Sequence, residues 1–93
     1  MDRNVTEKPP RSVVNRFELA AARMADAWVR AGRVTVTSDD VDLACDFLQA
    51  TGWKVSDGRA GRLRVVARRS RQVLDLTPEG AVLLAMRRLA RRR

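Results

Sequence analysis

The sequence predicts a small single domain of the α+β class, with the element order α-β-α-β-β(-β)-α. Three stretches repeat apolar residues at three- and four-residue spacings, as helices with one buried face do. Between the second and third lie short β-branched runs joined by glycine-bearing turns, as in an antiparallel hairpin. The 93 residues fit one core, because domains cluster near ~100–150 residues and a second core has no room. A core of this size is modest, and dimerisation would add to it.

Residues 1–11 are polar, hold the Pro9-Pro10 pair and show no apolar period, so they read as a flexible arm ahead of a domain over 12–93. Ser12 is placed to cap a helix running to Ala31. Val13, Val14, Phe17, Ala20, Ala21, Met24, Ala27, Trp28 and Ala31 form its apolar face, and Gly32 suits its end. The alanines on that face allow close approach of another helix, from the core or from a dimer mate. Arg33 to Thr37 reads R-V-T-V-T, which predicts a short strand. Thr37 and Ser38 then offer a hydroxyl cap before Asp39, Asp40 and Asp42, whose carboxylates suit the positive end of a helix dipole. This second helix extends to Thr51 with Val41, Ala44, Cys45 and Leu48 on its stripe, broadened by Leu43 and Phe47. On that stripe Cys45 is expected as a buried, unreactive thiol.

Trp53 to Ser56 starts a strand, Asp57 to Arg62 reads D-G-R-A-G-R as a turn, and Leu63 to Ala67 returns. Arg68 to Gln72 is a polar turn, and Val73 to Leu76 a third strand or a continuation. Thr77-Pro78-Glu79 then combines a hydroxyl cap, proline at the first helical position and an acid, so the last helix begins at about Pro78. Its stripe is Val82, Ala85, Met86 and Leu89. Arg87, Arg88, Arg91 and Arg92 gather on another side, where they also suit the negative end of the dipole.

The charge is divided along the chain. Residues 1–57 hold 8 basic and 9 acidic side chains, a net −1, whereas residues 58–93 hold 11 basic and 2 acidic, a net +9. All eleven basic residues in the second part are arginine, the side chain that grips phosphate bidentately and stays charged. An arginine-rich composition explains Arg in place of Lys, but not the segregation. Arg59, Arg62, Arg64, Arg68, Arg69 and Arg71 fall within thirteen residues, with Lys54 on the strand before. Strand alternation sets Arg62, Arg64 and Arg68 opposite Leu63, Val65 and Ala67, so the hairpin has an apolar face inward and a basic face outward. Such a footprint is that of a phosphate-contacting surface.

Composition also excludes chemistry. With no histidine and one cysteine, the chain holds no Ser-His-Asp or Cys-His design and no Cys/His metal set. We expect no enzyme activity, no metal and no cofactor. No apolar run approaches the ~18 residues of a membrane span, and no signal peptide is expected. The four aromatic residues, Phe17, Trp28, Phe47 and Trp53, all fall on or beside apolar stripes and read as core. Single-stranded partners need exposed stacking platforms, so duplex DNA is preferred and structured RNA is the lesser candidate.

The stretch from Phe47 to Leu89 resembles the back half of winged-helix transcription regulators of the MarR and PadR types. F-L-Q-A-T-G-W-K-V leads through a glycine into a basic hairpin, and V-L-D-L-T-P-E-G-A-V-L-L-A-M-R-R-L follows, with Leu76-Thr77-Pro78-Glu79-Gly80 matching the segment that starts the long helix after the wing. The resemblance implies a winged-helix-like variant in which Arg59, Arg62 and Arg64 are wing residues reaching a minor groove or its phosphates. The helix in the recognition position carries Asp39, Asp40, Asp42 and Asp46 and no basic residue, which opposes insertion into a major groove. Contacts are therefore expected from the hairpin (Lys54, Arg59, Arg62, Arg64, Arg68, Arg69, Arg71), from the last helix (Arg87, Arg88, Arg91, Arg92), or from an arm holding Arg3, Lys8 and Arg11.

The expectation is a cytoplasmic, nucleoid-associated, homodimeric DNA-binding protein that regulates transcription. The alternative is a protein-interaction module that uses the same arginines on an acidic partner such as RNA polymerase or a ribosomal component.

Overall fold

Residues 11–92 are described here from a computed structural model; the expected arm lies outside them except for Arg11. The order is α1 (Arg11–Ala31), α2 (Ser38–Ala50), β1 (Trp53–Asp57), β2 (Leu63–Ala67), β3 (Val73–Leu76) and α3 (Pro78–Arg92). It is thus α-α-β-β-β-α, three helices with one antiparallel sheet of strand order β1-β2-β3.

Helix α1 begins at Arg11 rather than Ser12, so Ser12 sits inside the helix and is not its cap. Its face buries Phe17, Ala20, Ala21 and Met24, with Val13 and Val14 packed at the margin. Trp28 departs from expectation: it is 60% exposed, because it borders an open groove whose other walls are the loop with Val34 and Val36 and Leu83 and Met86 of α3. The strand expected over Arg33–Thr37 does not form. The segment pairs with no strand among the described residues, yet Val34 and Val36 still pack against the core. Alternation there reflects a loop with one side inward; a strand also needs a neighbour to take its backbone hydrogen bonds.

Thr37 caps α2 through a capping box: its Oγ1 accepts from the Asp40 N–H at 3.2 Å, and the Thr37 N–H donates to Asp40 Oδ2 at 3.0 Å. The helix ends at Ala50, one residue before the expected Thr51. The Thr51 hydroxyl donates back to the Phe47 carbonyl at 2.9 Å, and Gly52 turns the chain with φ of 102°. Phe47 stacks on Phe17 with ring centroids 4.9 Å apart, joining α2 to α1. Ala44, Leu48, Trp53, Val65, Val82, Ala85 and Leu89 complete the core, so α2 lies between α1 on one side and α3 with the sheet on the other.

Register fixes the two faces of the sheet. Trp53 pairs with Ala67; Val55 pairs with Val65, which pairs on its other side with Leu74; Asp57 pairs with Leu63, which pairs on its other side with Leu76. Asp57 and Leu63 apart, these positions pack on the core. Thr77 then caps α3, its Oγ1 accepting from the Gly80 N–H at 3.0 Å. The space there is close, since a Cβ on Gly80 would lie 3.2 Å from that oxygen.

Candidate nucleic-acid interface

A period of two sends alternate residues to the other face of the sheet. Across the strands that face runs Lys54, Val66, Val73 in one row and Ser56, Arg64, Asp75 in the next. Lys54 and Arg64 are exposed on it, and no aromatic side chain is present there. The face is basic with a small apolar centre and offers no stacking platform.

The remaining hairpin arginines divide between the two ends of the sheet. With strand residues about 3.3 Å apart, the ends lie on the order of 15 Å from one another. At the β1–β2 end, the turn Arg59–Gly61 puts Ala60 at φ 56° and Gly61 at φ 76°, presenting Arg59 and Arg62 to solvent beside Arg64. Arg62 is not wholly free: its guanidinium donates to the Asp75 carbonyl at 3.0 Å, and its Nε lies 3.7 Å from the Asp75 carboxylate. Both partners are exposed, so the ion pair itself is weak, but it aims Arg62 across the sheet.

At the opposite end, the β2–β3 turn carries Arg68, Arg69 and Arg71, all exposed. Its backbone is well tied. The Arg68 N–H donates to the Gly52 carbonyl at 3.3 Å, the Ala67 N–H to the Gln72 carbonyl at 3.0 Å, and the Arg71 N–H to the Ala67 carbonyl at 2.8 Å. Arg88 of α3 reaches this end, its guanidinium 4.8 Å from the centroid of the buried Trp53 ring. Arg68, Arg69, Ser70 and Arg88 thus line one opening over Trp53. Farther along α3, Arg87, Arg88 and Arg91 line a second, with Arg92 exposed beyond it.

The structure therefore gathers the predicted cations into two groups. Arg59, Arg62, Arg64 and Lys54 belong to the outer face and the turn at its β1–β2 end. Arg68, Arg69, Arg71 and Arg88 meet at the other end, where Arg87, Arg91 and Arg92 extend the group along α3. Arg88 is half-buried over Trp53 and has a packing role that its run of arginines does not signal. Asp75, the residue that orients Arg62, carries no such signal either. It lies thirteen residues away, and only strand pairing brings the two together.

The acids of the helical layer behave differently. Asp40 is buried at 3% exposure and pairs with Arg23 of α1. Burial pushes its carboxyl up, but bonds from Arg23 and Thr37 outweigh this and hold it below the usual carboxylate range. Asp26 and Arg30 pair at 3.2 Å along α1. Asp39, Asp42 and Asp46 remain exposed on α2 or at its margin. Cys45 is half-buried rather than buried, and burial, then Asp42, Asp46 and Asp57, raise its thiol.

Among the described residues no three carboxylate or cysteine side chains gather as a metal set would, and no helix is long and apolar enough to cross a membrane. No protein-family model, curated protein or solved structure matches this chain.

Proposed function

We propose that the protein binds duplex DNA as a transcription regulator, chiefly through phosphates, with the outer sheet face, its two turns and α3. The observation that carries this is the density of exposed arginine on one continuous run of elements, the net +9 of residues 58–93, with only Asp75 and Glu79 to offset it. Without a polyanion such density is a cost in self-repulsion. The hairpin followed by the Thr77-capped α3 suits a winged-helix-like variant that grips with its wing. Helix α2, which carries Asp39, Asp42 and Asp46 outside the core, stays out of the groove. The aromatic-free sheet face favours a duplex over single strands.

The test is a mobility-shift titration at two salt concentrations, on one candidate and one random duplex. Replacing Arg62, Arg64, Arg68 and Arg69 by alanine is expected to weaken binding by about 100-fold or more at low salt. The slope of log affinity against log salt should fall by roughly 3 to 4, near 0.9 for each phosphate no longer neutralised. Unchanged affinity and slope would falsify the proposal.

The same exposed arginines also serve a second reading, a grip on an acidic protein without reading of bases. A partner retained from nuclease-treated lysate, and released by the same quadruple variant, selects it.

A further inference from the structure

Helices α1 and α3 both pack on α2 but scarcely on one another, and a groove lies between them. Trp28 and Val29 of α1, Val34 and Val36 of the following loop, and Leu83 and Met86 of α3 line it. It continues past Ala25 and Met86 toward Ala22 and Ala90, where the small side chains keep it open. Trp28, Val29 and Leu83 are 60%, 81% and 63% exposed, which is unusual for three large apolar residues around one groove.

We infer that this groove is the dimer interface of the protein, occupied by the same face of a second copy. Three observations select that occupant. The first is area. A standard interface takes about 800 Å² from each partner, a little over half of it apolar. Trp28 contributes on the order of 150 Å² at its exposure and Val29 and Leu83 on the order of 100 Å² each, most of the apolar share such an interface needs, and the exposed Ala22, Ala25 and Ala90 extend it.

The second is charge. The chain is +8 overall, so two copies repel wherever their arginine-rich parts face each other. The groove belongs mainly to the balanced part of the chain. Glu79 stands on its α3 wall, Arg33 precedes the loop wall, and the Asp26–Arg30 pair flanks Val29. With acid and base both at its edges, the groove is balanced in charge, as a contact between two identical faces requires, whereas a strongly acidic or basic partner would meet like charge on one side. The third is composition. Residues 1–10 read M-D-R-N-V-T-E-K-P-P and carry too few apolar side chains to fill it.

The inference is independent of the nucleic-acid proposal and is tested without nucleic acid. Sedimentation equilibrium of the full chain should give twice the 10.4 kDa chain mass, dissociating on dilution. Trp28→Glu and Leu83→Glu should each weaken dimerisation by about tenfold or more, with the helical circular dichroism retained. Leu19→Glu serves as control. Leu19 is 73% exposed on the same helix but nine residues from Trp28, which places it on the opposite side, and its substitution should leave the dimer unchanged. If a charged variant loses its helical signal, acrylamide quenching of the wild type decides. Trp53 is buried, so quenching that rises on dilution reports Trp28 becoming uncovered. A monomer at every concentration, a dimer indifferent to both groove variants, or one weakened equally by Leu19→Glu would overturn the inference.

Discussion

The α1–α2 layer and the sheet with α3 handle charge in opposite ways. In the helical layer, Asp40 is buried, closes the α2 capping box and binds Arg23, so the fold itself joins this acid to a base, whereas the Asp26–Arg30 pair and Asp39, Asp42 and Asp46 lie in solvent. In the sheet and α3, Arg62 has Asp75 and Arg88 has Trp53, while Arg59, Arg64, Arg68 and Arg69 extend into solvent with no ion pair among the described residues. The difference shows which charges hold the fold and which the fold leaves in solvent. A charge that stabilises is buried or tied to backbone; a charge left in solvent contributes little to stability and remains available.

Breaking the first region should cost the most stability. Asp40→Ala removes the carboxylate half of the capping box and the Arg23 bond, an expected loss of about 2–3 kcal/mol in denaturant unfolding, moderated because Arg23 is half-exposed. The same carboxyl gives a pH signature. Its value is held down in the folded state, so its contribution is complete above the ordinary carboxylate range and is lost as pH falls through the depressed value. Thermal melts from about pH 5 to pH 2 should therefore show an acid destabilisation that Asp40→Asn partly removes. If the variant and the wild type lost stability in parallel, Asp40 would not be the titrating group.

Arg88→Ala sharpens the comparison, because this arginine belongs to both classes. Loss of its packing on Trp53 should lower stability by about 1 kcal/mol, change tryptophan emission and reduce DNA affinity at once. A fall in affinity alone would place Arg88 with the solvent arginines. Asp75→Asn should act in the opposite sense. It removes an acid from the basic face and releases Arg62, raising affinity by about threefold at low salt with little change in unfolding. The smallest effect is expected at the turn. Ala60 stands at φ 56°, so Ala60→Gly relieves strain of about 1–2 kcal/mol and adds unfolded-state entropy of about 0.5–1 kcal/mol, a net gain of at most ~1 kcal/mol in the chemical melt.

Much of the fold was readable from local patterns. The R-A-G turn, the β2 strand, the start of α3 at Pro78 and the stripe of α3 depend on near neighbours in the chain, and they appear where the pattern puts them. Arg33–Thr37 misled because its alternation is real while its strand partner is missing. Trp28 misled because it lies on the right side of α1 but faces a groove that α3 borders and does not fill. Of the candidate site, alternation correctly placed Arg64 and Arg68 away from the core side chains. The pairing of Arg62 with Asp75 and of Arg88 with Trp53 joins residues 13 and 35 positions apart, which no local pattern encodes.

By itself, then, the sequence determined the three helices, the hairpin, and the concentration of positive charge after Gly58. These follow from spacing, capping and composition, which act over a few residues. Only the tertiary structure decided that the 33–37 segment is a loop, that the arginines form two groups at opposite ends of a sheet, that Asp40 belongs to the fold, and that an apolar groove remains open beside Trp28. Each of those depends on which surfaces meet across the core, and long-range packing, not local preference, sets which backbone groups find partners and which side chains stay in water.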